Sequence, residues 1–212
     1  PRFDPERGAV LHLPAGTYRL GPLDGYDRHH SFPFSRFHIR GEGVGRTVVL
    51  LDHVAYPKVR ISIHGDARFG GGVDTSIRDL TIASTLPQPP DRTSADMNVH
   101  LRDLHGFTAE RVEVCDGPRI GFHVNSCTDV TLRDCHVHDM CTDGIHLVGC
   151  HQALVESCRI ADTGDDAIAV WGGNWWNPDQ STDVTLRGNR IERAGSNGIA
   201  LGGCDRVVVE GN

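Results

Sequence analysis

"DVTLRDCHVHDMCTDGIHLVGC", residues 129–150, is followed almost at once by "QALVESCRIADTGDDAIAVWGG", residues 152–173. The two align without a gap: Asp129 falls on Gln152, Val137 on Ile160 and Asp143 on Asp166, each 23 residues apart. A third copy, "DVTLRGNRIERAGSNGIALGGC" (183–204), fits the same template, and "RVVVEGN" (206–212) begins another. Upstream, "GFHVNSC" (121–127) maps onto "GIHLVGC" (144–150) at the same offset. A fixed period of this length is the mark of a solenoid. Each copy holds three short apolar pieces, centred in one copy on Val130–Leu132, Cys135–Val137 and Ile145–Leu147, with Gly, Asp and Asn between them. One such unit cannot bury its own apolar side, whereas stacked units share a continuous core. The sequence therefore predicts an all-β, right-handed parallel β-helix with three short strands per turn.

The register can be read column by column. Inward positions stack as Phe107, Val130, Ala153, Val184 and Val207, and as Val114, Val137, Ile160 and Ile191. One outward column reads Arg78, Glu110, Arg133, Glu156, Arg187, Glu210, alternating in sign at every rung. Opposite charges on neighbouring rungs attract weakly, so this column reads as a structural ladder. Cys127, Cys150 and Cys204 share a column, as do Cys135 and Cys158, with Val112 above and Asn189 and Asn212 below. Buried thiols filling corners account for them, although rungs about 4.8 Å apart would not by distance forbid a disulfide. No C-x-x-C pair or His/Cys cluster stands out, so no metal site is expected.

Composition agrees. The chain has 212 residues, 38% of them hydrophobic, with 25 glycines and few helix-like stretches, which fits one turn-rich β domain. No apolar run is long enough to span a membrane. A net charge of −7 argues against non-specific nucleic-acid binding but says little about an anionic glycan, because a local basic cleft overrides net charge. Lys58 is the only lysine, which nearly removes lysine from catalysis. The abrupt start at Pro1 and the stop at Asn212 suggest a processed or shortened chain. Residues 1–70 are expected to form irregular N-terminal turns and 71–212 regular rungs. "GAVLHLPAGTYRL" (8–20) and "FHIRGEGVGRTVVLL" (37–51) each read as strand, turn, strand. Gly41, Gly43 and Gly45 are followed by the β-branched run Thr47–Leu51, not by a helix, so a phosphate-binding loop is rejected.

Insertions mark the working side of a solenoid. The regular spacing of 8 from second to third strand, as from Val137 to Ile145, becomes 17 between Ile82 and Val99. The regular spacing of 6 from third strand to next turn becomes 14 between Val170 and Val184. Both insertions border one strand stack, whose outward residues His100, His123, His146, Ala169 and Ala200 would floor a groove. Asp143 and Asp166 share a column at its lip, and Asp165 adjoins them. Aspartate is an ordinary turn residue, and each taken singly needs no other account. Three acids over two rungs should also repel, which would hold one carboxyl protonated beside an ionised partner. Glycosidic cleavage needs such a pair. Trp171, Trp175 and Trp176 could pack on sugar faces, and Arg119 could hold a uronate carboxylate.

These residues resemble glycoside hydrolase family 28, the polygalacturonases and their relatives, which are right-handed parallel β-helices. "TDGIHL" (142–147), "DDAIAV" (165–170) and "SNGIAL" (196–201) stand where that family has N-T-D-G, D-D-C-[IV]-A-[IV] and G-H-G. The resemblance implies Asp165 as general acid, Asp143 and Asp166 activating water, and inversion at the anomeric carbon. It departs at Asn197, where the family has histidine, at Cys141 before Thr142, at Ala167 for cysteine, and in the absence of an R-I-K motif. The N-terminal segment resembles pectate-lyase-like β-helices more widely. Alginate epimerases carry D-P-H-E after a Gly-Phe; after Gly121–Phe122 this chain has "HVNS", which argues against that activity.

The expected function is hydrolysis of a poly- or oligosaccharide by carboxylate acid–base chemistry. Asp143, Asp165, Asp166 and His146 are the catalytic candidates; His123, Arg119, Trp171, Trp175, Trp176 and Asn197 are the substrate-binding ones. No cofactor is expected. The alternatives are a lyase, in which His123 or His146 abstracts a proton and the carboxylates hold Ca²⁺, and a non-catalytic glycan-binding or tailspike-like module. The partner is a glycan, with no nucleic acid and no membrane, and the chain is a monomer or a trimer. The protein is expected to be bacterial and secreted.

Overall fold

The computed structural model describes residues 8–21, 30–53, 59–69, 71–85, 97–172 and 179–212. It is a right-handed parallel β-helix with three faces. The first face stacks β1 (Ala9–His12), β4 (Phe37–Arg40), the leading half of β7 (Val73–Ser84), the leading half of β9 (His105–Gly117), β11 (Thr128–Arg133), β14 (His151–Glu156), β17 (Ser181–Arg187) and β20 (Cys204–Glu210). The second stacks β2 (Gly16–Leu20), β5 (Thr47–Leu51), the trailing halves of β7 and β9, β12 (His136–Met140), β15 (Arg159–Thr163) and β18 (Arg190–Ala194). The third stacks β3 (His30–Phe32), β6 (Ile61–His64), β8 (Val99–Arg102), β10 (Phe122–Asn125), β13 (Ile145–Val148), β16 (Ile168–Trp171) and β19 (Ile199–Gly202). The strands of residues 9–64 pair in register with later ones, so the same stacks run through the N-terminal turns.

The predicted columns hold. Phe107, Val130, Ala153, Val184 and Val207 pair rung to rung, as do Val114, Val137, Ile160 and Ile191. Most of these side chains are fully buried and form one continuous apolar core. Each buried branched side chain contributes roughly 1.5–3 kcal/mol by leaving water. The charge ladder also forms: Arg78 bonds Glu110 at 2.7 Å and Arg133 bonds Glu156 at 3.0 Å, and Arg187 reaches both Glu156 and Glu210. In the cysteine column Ser181 stands between Cys150 and Cys204, because the insertion after Val170 shifts the register. Asn189 and Asn212 continue the other column, Asn189 donating to the Leu–Val–Glu strand above through Val155 O and to Asn212 Oδ1. The seven cysteines are free.

The corners between faces use the left-handed region. Asp79, Asp116, Asp139, Asp162 and Asp183 sit at φ of 52–58°. Aspartate tolerates this conformation because its short side chain bonds locally. Three of the corners are also ion-paired between rungs: Arg111 to Asp79, Arg193 to Asp162 and Arg206 to Asp183, each at 2.6 Å. No described helix is long and apolar enough to cross a membrane.

Candidate active site

The outward residues of the third face stack in the predicted order. His100, His123, His146, Ala169 and Ala200 are consecutive in the third-face ladder. The His100 and His123 rings stack at 5.2 Å between centroids, and His123 meets His146 edge-on at 5.6 Å. Burial, then the neighbouring His100 and His146 and the cations Arg119 and Arg60, push the His123 imidazole well below its ordinary value. It is therefore neutral at pH 7, with a buried Nδ1 that makes no hydrogen bond. Towards the N-terminus the floor continues through Ser62 and Ser31 into a recess of about 280 Å³, lined also by Arg60, His64 and Arg102.

The lip is a turn repeated at each rung. Phe122 and Ile145 enter the third face after Gly121 and Gly144. A Cβ on Gly144 would lie 2.7 Å from Ala167 O and 2.6 Å from the Ile160 side chain, so glycine is required for close stacking of rungs. Ala167, where the resembled family has cysteine, is fully buried beneath it. The stacking puts Asp143, Asp166 and Asn197 in one column. Asp143 Oδ1 accepts the Asp166 amide at 3.3 Å. Asp166 Oδ1 in turn accepts the Asn197 amide at 2.9 Å and its Nδ2 at 2.8 Å. One oxygen of each aspartate is thus spent on the next rung, as turn chemistry requires. The other oxygen of Asp143, Oδ2, lies 2.8 Å from His146 Nδ1. Asp165, the neighbour of Asp166, completes a trio in which one carboxylate oxygen from each residue lies within 4.8 Å of the others.

The structure therefore brings together Asp143, Asp165, Asp166, His146 and Asn197, with His123 one rung away. Asn197 touches Asp166 directly, in a position that orients the carboxylate. Arg119 is exposed one rung above Thr142, whose amide bonds its carbonyl at 3.1 Å. Trp171 is 40% exposed and its ring covers Gly202 on the next rung, where any side chain would collide with it. Trp175 and Trp176, and most of both groove-wall insertions, lie outside the described residues.

Among the described residues, two groups of side chains carry donors suited to a cation. The aspartate trio offers only oxygens, the chemistry of Ca²⁺ or Mg²⁺. Glu113, His136 and His138, on the second face, offer two imidazoles and a carboxylate. Sequence spacing missed this second group. Its signal was present in the H-x-H of "CHVHD" and in Glu113, which precedes His136 by one period.

The fold defines the class, a right-handed parallel β-helix, and a family model described as "Right handed beta helix region" matches residues 120–212. Among characterised proteins the chain is 28% identical over 145 residues to mannuronan C5-epimerases AlgE1 and AlgE3 of Azotobacter vinelandii. That stretch is 65% of this chain but 10% and 8% of theirs, so the chain spans only a small part of these relatives. Among solved structures, the catalytic unit of a GH87 α-1,3-glucanase from Streptomyces thermodiastaticus superposes with a TM-score of 0.74 at 21% identity. The match covers 96% of this chain and 34% of the glucanase. The A-module of A. vinelandii mannuronan C-5 epimerase AlgE6 follows at 0.69 and 19%, covering 96% of this chain and 54% of the module.

Proposed function

We propose that this protein is a glycan-acting enzyme that cleaves a glycosidic bond with the carboxylate trio Asp143, Asp165 and Asp166. The observation that supports the reading is the trio itself: three carboxylates from two rungs gathered within 4.8 Å beside an open strand face. In this reading Asp165 gives a proton to the departing glycosidic oxygen, and Asp143 and Asp166 orient and deprotonate the attacking water. His146, fixed through Nδ1 by Asp143, presents its other nitrogen to the sugar. Asn197 holds Asp166 in place. The resembled glycosidase family implies inversion. The trio is tighter than the ~6.5–9.5 Å that separates carboxyls in most inverting enzymes, so the product anomer has to be measured. Arg60 and Arg119 along the groove suit a sugar that carries carboxylates, whereas Arg102 is already paired with Asp103 at 3.0 Å; the enzyme would meet such a polymer outside the cell.

A second reading, proton abstraction beside a uronate by His146 or His123, draws support from the similarity to mannuronan epimerases and from the neutral, half-buried His123. Incubation with polymannuronate, polygalacturonate and α-1,3-glucan in D₂O separates the readings. New reducing ends without ultraviolet absorbance mark hydrolysis. Absorbance from an unsaturated sugar marks a lyase. Deuterium at C5 without chain cleavage marks an epimerase and would overturn the hydrolytic reading. Binding without any turnover would leave a glycan-binding module.

A further inference from the structure

The second face carries a group that the glycan chemistry leaves unused. β12 presents His136 and His138 outward, two residues apart, and Glu113 sits beside His136 on β9 of the previous rung. Glu113 Oε1 lies 3.7 Å from His136 Nδ1 and 3.5 Å from His138 Nε2, and the two rings are 4.2 Å apart. We propose that Glu113, His136 and His138 form a binding site for a divalent transition ion of the zinc type, which clamps two consecutive rungs together.

Three observations carry the assignment. The first is orientation. His138 Nδ1 lies 2.6 Å from Asp139 Oδ2, so Nδ1 donates and a neutral ring turns the Nε2 lone pair towards Glu113. Glu113 Oε2 accepts the Thr81 hydroxyl at 2.8 Å, and that hydroxyl accepts the Gly45 amide at 2.9 Å, which leaves Oε1 for the histidines. A carboxylate behind the imidazole and a fixed carboxylate ligand are the supports that zinc ligands ordinarily have. The second is an unmet need. His138 Nε2 is buried and makes no hydrogen bond. A lone pair facing a carboxylate oxygen at 3.5 Å is repulsive unless a proton or a cation lies between them. The third is spacing. Zinc–ligand distances of 2.0–2.1 Å in a tetrahedron set ligand atoms about 3.3 Å apart; the two edges from Glu113 are 3.5 and 3.7 Å, within a few tenths of an ångström of that, and all three ligand atoms lie within 4.8 Å of one another.

The surroundings allow it. Arg159, the nearest cation in the ladder, is turned to Glu192 at 3.0 Å. The three side chains are 22–34% exposed, which leaves a fourth position for water. Imidazole donors favour zinc over calcium or magnesium, in contrast with the aspartate trio.

The test uses untagged protein freed of metal with a chelator. Zn²⁺ is titrated by competition with a chromogenic chelator at pH 7. One ion should bind per chain at micromolar or tighter affinity. His138→Ala should lose binding by at least 100-fold. Asp139→Asn, which keeps the side-chain shape, should weaken it roughly 10- to 100-fold. Asp166→Asn should leave it unchanged. X-ray absorption at the zinc edge should show two imidazoles and oxygen. Absence of 1:1 binding by the wild type would overturn the site and mean that a proton bridges Glu113 and His138. Sulfur ligands, or binding that survives His138→Ala in a folded variant, would also overturn it. Circular dichroism on each variant separates loss of the site from loss of the fold.

Discussion

Two stacked polar columns on this solenoid obey the same geometry and do opposite things. Along the first face, Arg78 to Glu210 alternate in sign, and four of the five successive pairs lie at 2.5–3.7 Å. Along the lip of the third face, Asp143, Asp166 and Asp165 gather three acids, beside a run of three histidines of which His123 is held neutral. The first column satisfies itself and stabilises weakly. The second draws its partners from backbone amides, Asn197 and His146 rather than from opposite charges of its own column. A repeat supplies columns cheaply in sequence terms; the sign pattern along a column separates scaffold from candidate site.

The largest expected effect lies at the aspartate column. Asp165→Asn or Asp166→Asn should lower kcat by roughly 10²–10⁴-fold, the scale of a lost acid or base, with thermal unfolding little changed. Initial rates on the glycan that the wild type turns over measure this. Leu132→Ala, a fully buried change in the core between the two columns, should cost about 2–5 kcal/mol in urea unfolding. Per-molecule turnover should survive where the protein remains folded. Asn197→Ala removes the 2.8 Å side-chain bond to Asp166 but keeps the 2.9 Å backbone one. It should reduce kcat roughly 10- to 100-fold through misplacement of the carboxylate, with KM less affected.

His123 gives a pH test of the same contrast. Its folded-state value lies below the unfolded 6.5, so below that pH the unfolded chain binds more protons and stability falls as pH drops. Above pH 6.5 this contribution is fully present. The His123 imidazole signal in an NMR titration should stay that of a neutral ring as pH falls through 6.5. At the satisfied column, Glu156→Gln should cost no more than about 1 kcal/mol and leave turnover unchanged.

How far the sequence foretold these features follows from what a period can carry. Phe107 to Val207 and Arg78 to Glu210 were legible because residues one period apart must be neighbours in a stack. The Asp143–Asp166 column was legible for the same reason. The corner pairs Asp79–Arg111 and Asp162–Arg193 were not, because nothing local in the sequence marks which residues take left-handed φ. Nor was the bond from Asn197 to Asp166, which depends on rotamers, nor the gathering of Glu113, His136 and His138. That group spans two rungs and hides within ordinary strand alternation. Ser181 entered the cysteine column because an insertion changed the local period from 23 to 31, as from Cys150 to Ser181.

The most direct test of the central claim is a matched pair of variants, Asp165→Asn and Glu156→Gln, assayed with the wild type for release of reducing ends from a panel of neutral and uronic-acid glycans. The account predicts turnover by wild type and Glu156→Gln, and near-complete loss in a folded Asp165→Asn. Equal turnover by all three proteins would contradict it and return the aspartates of the groove to the role of turn residues.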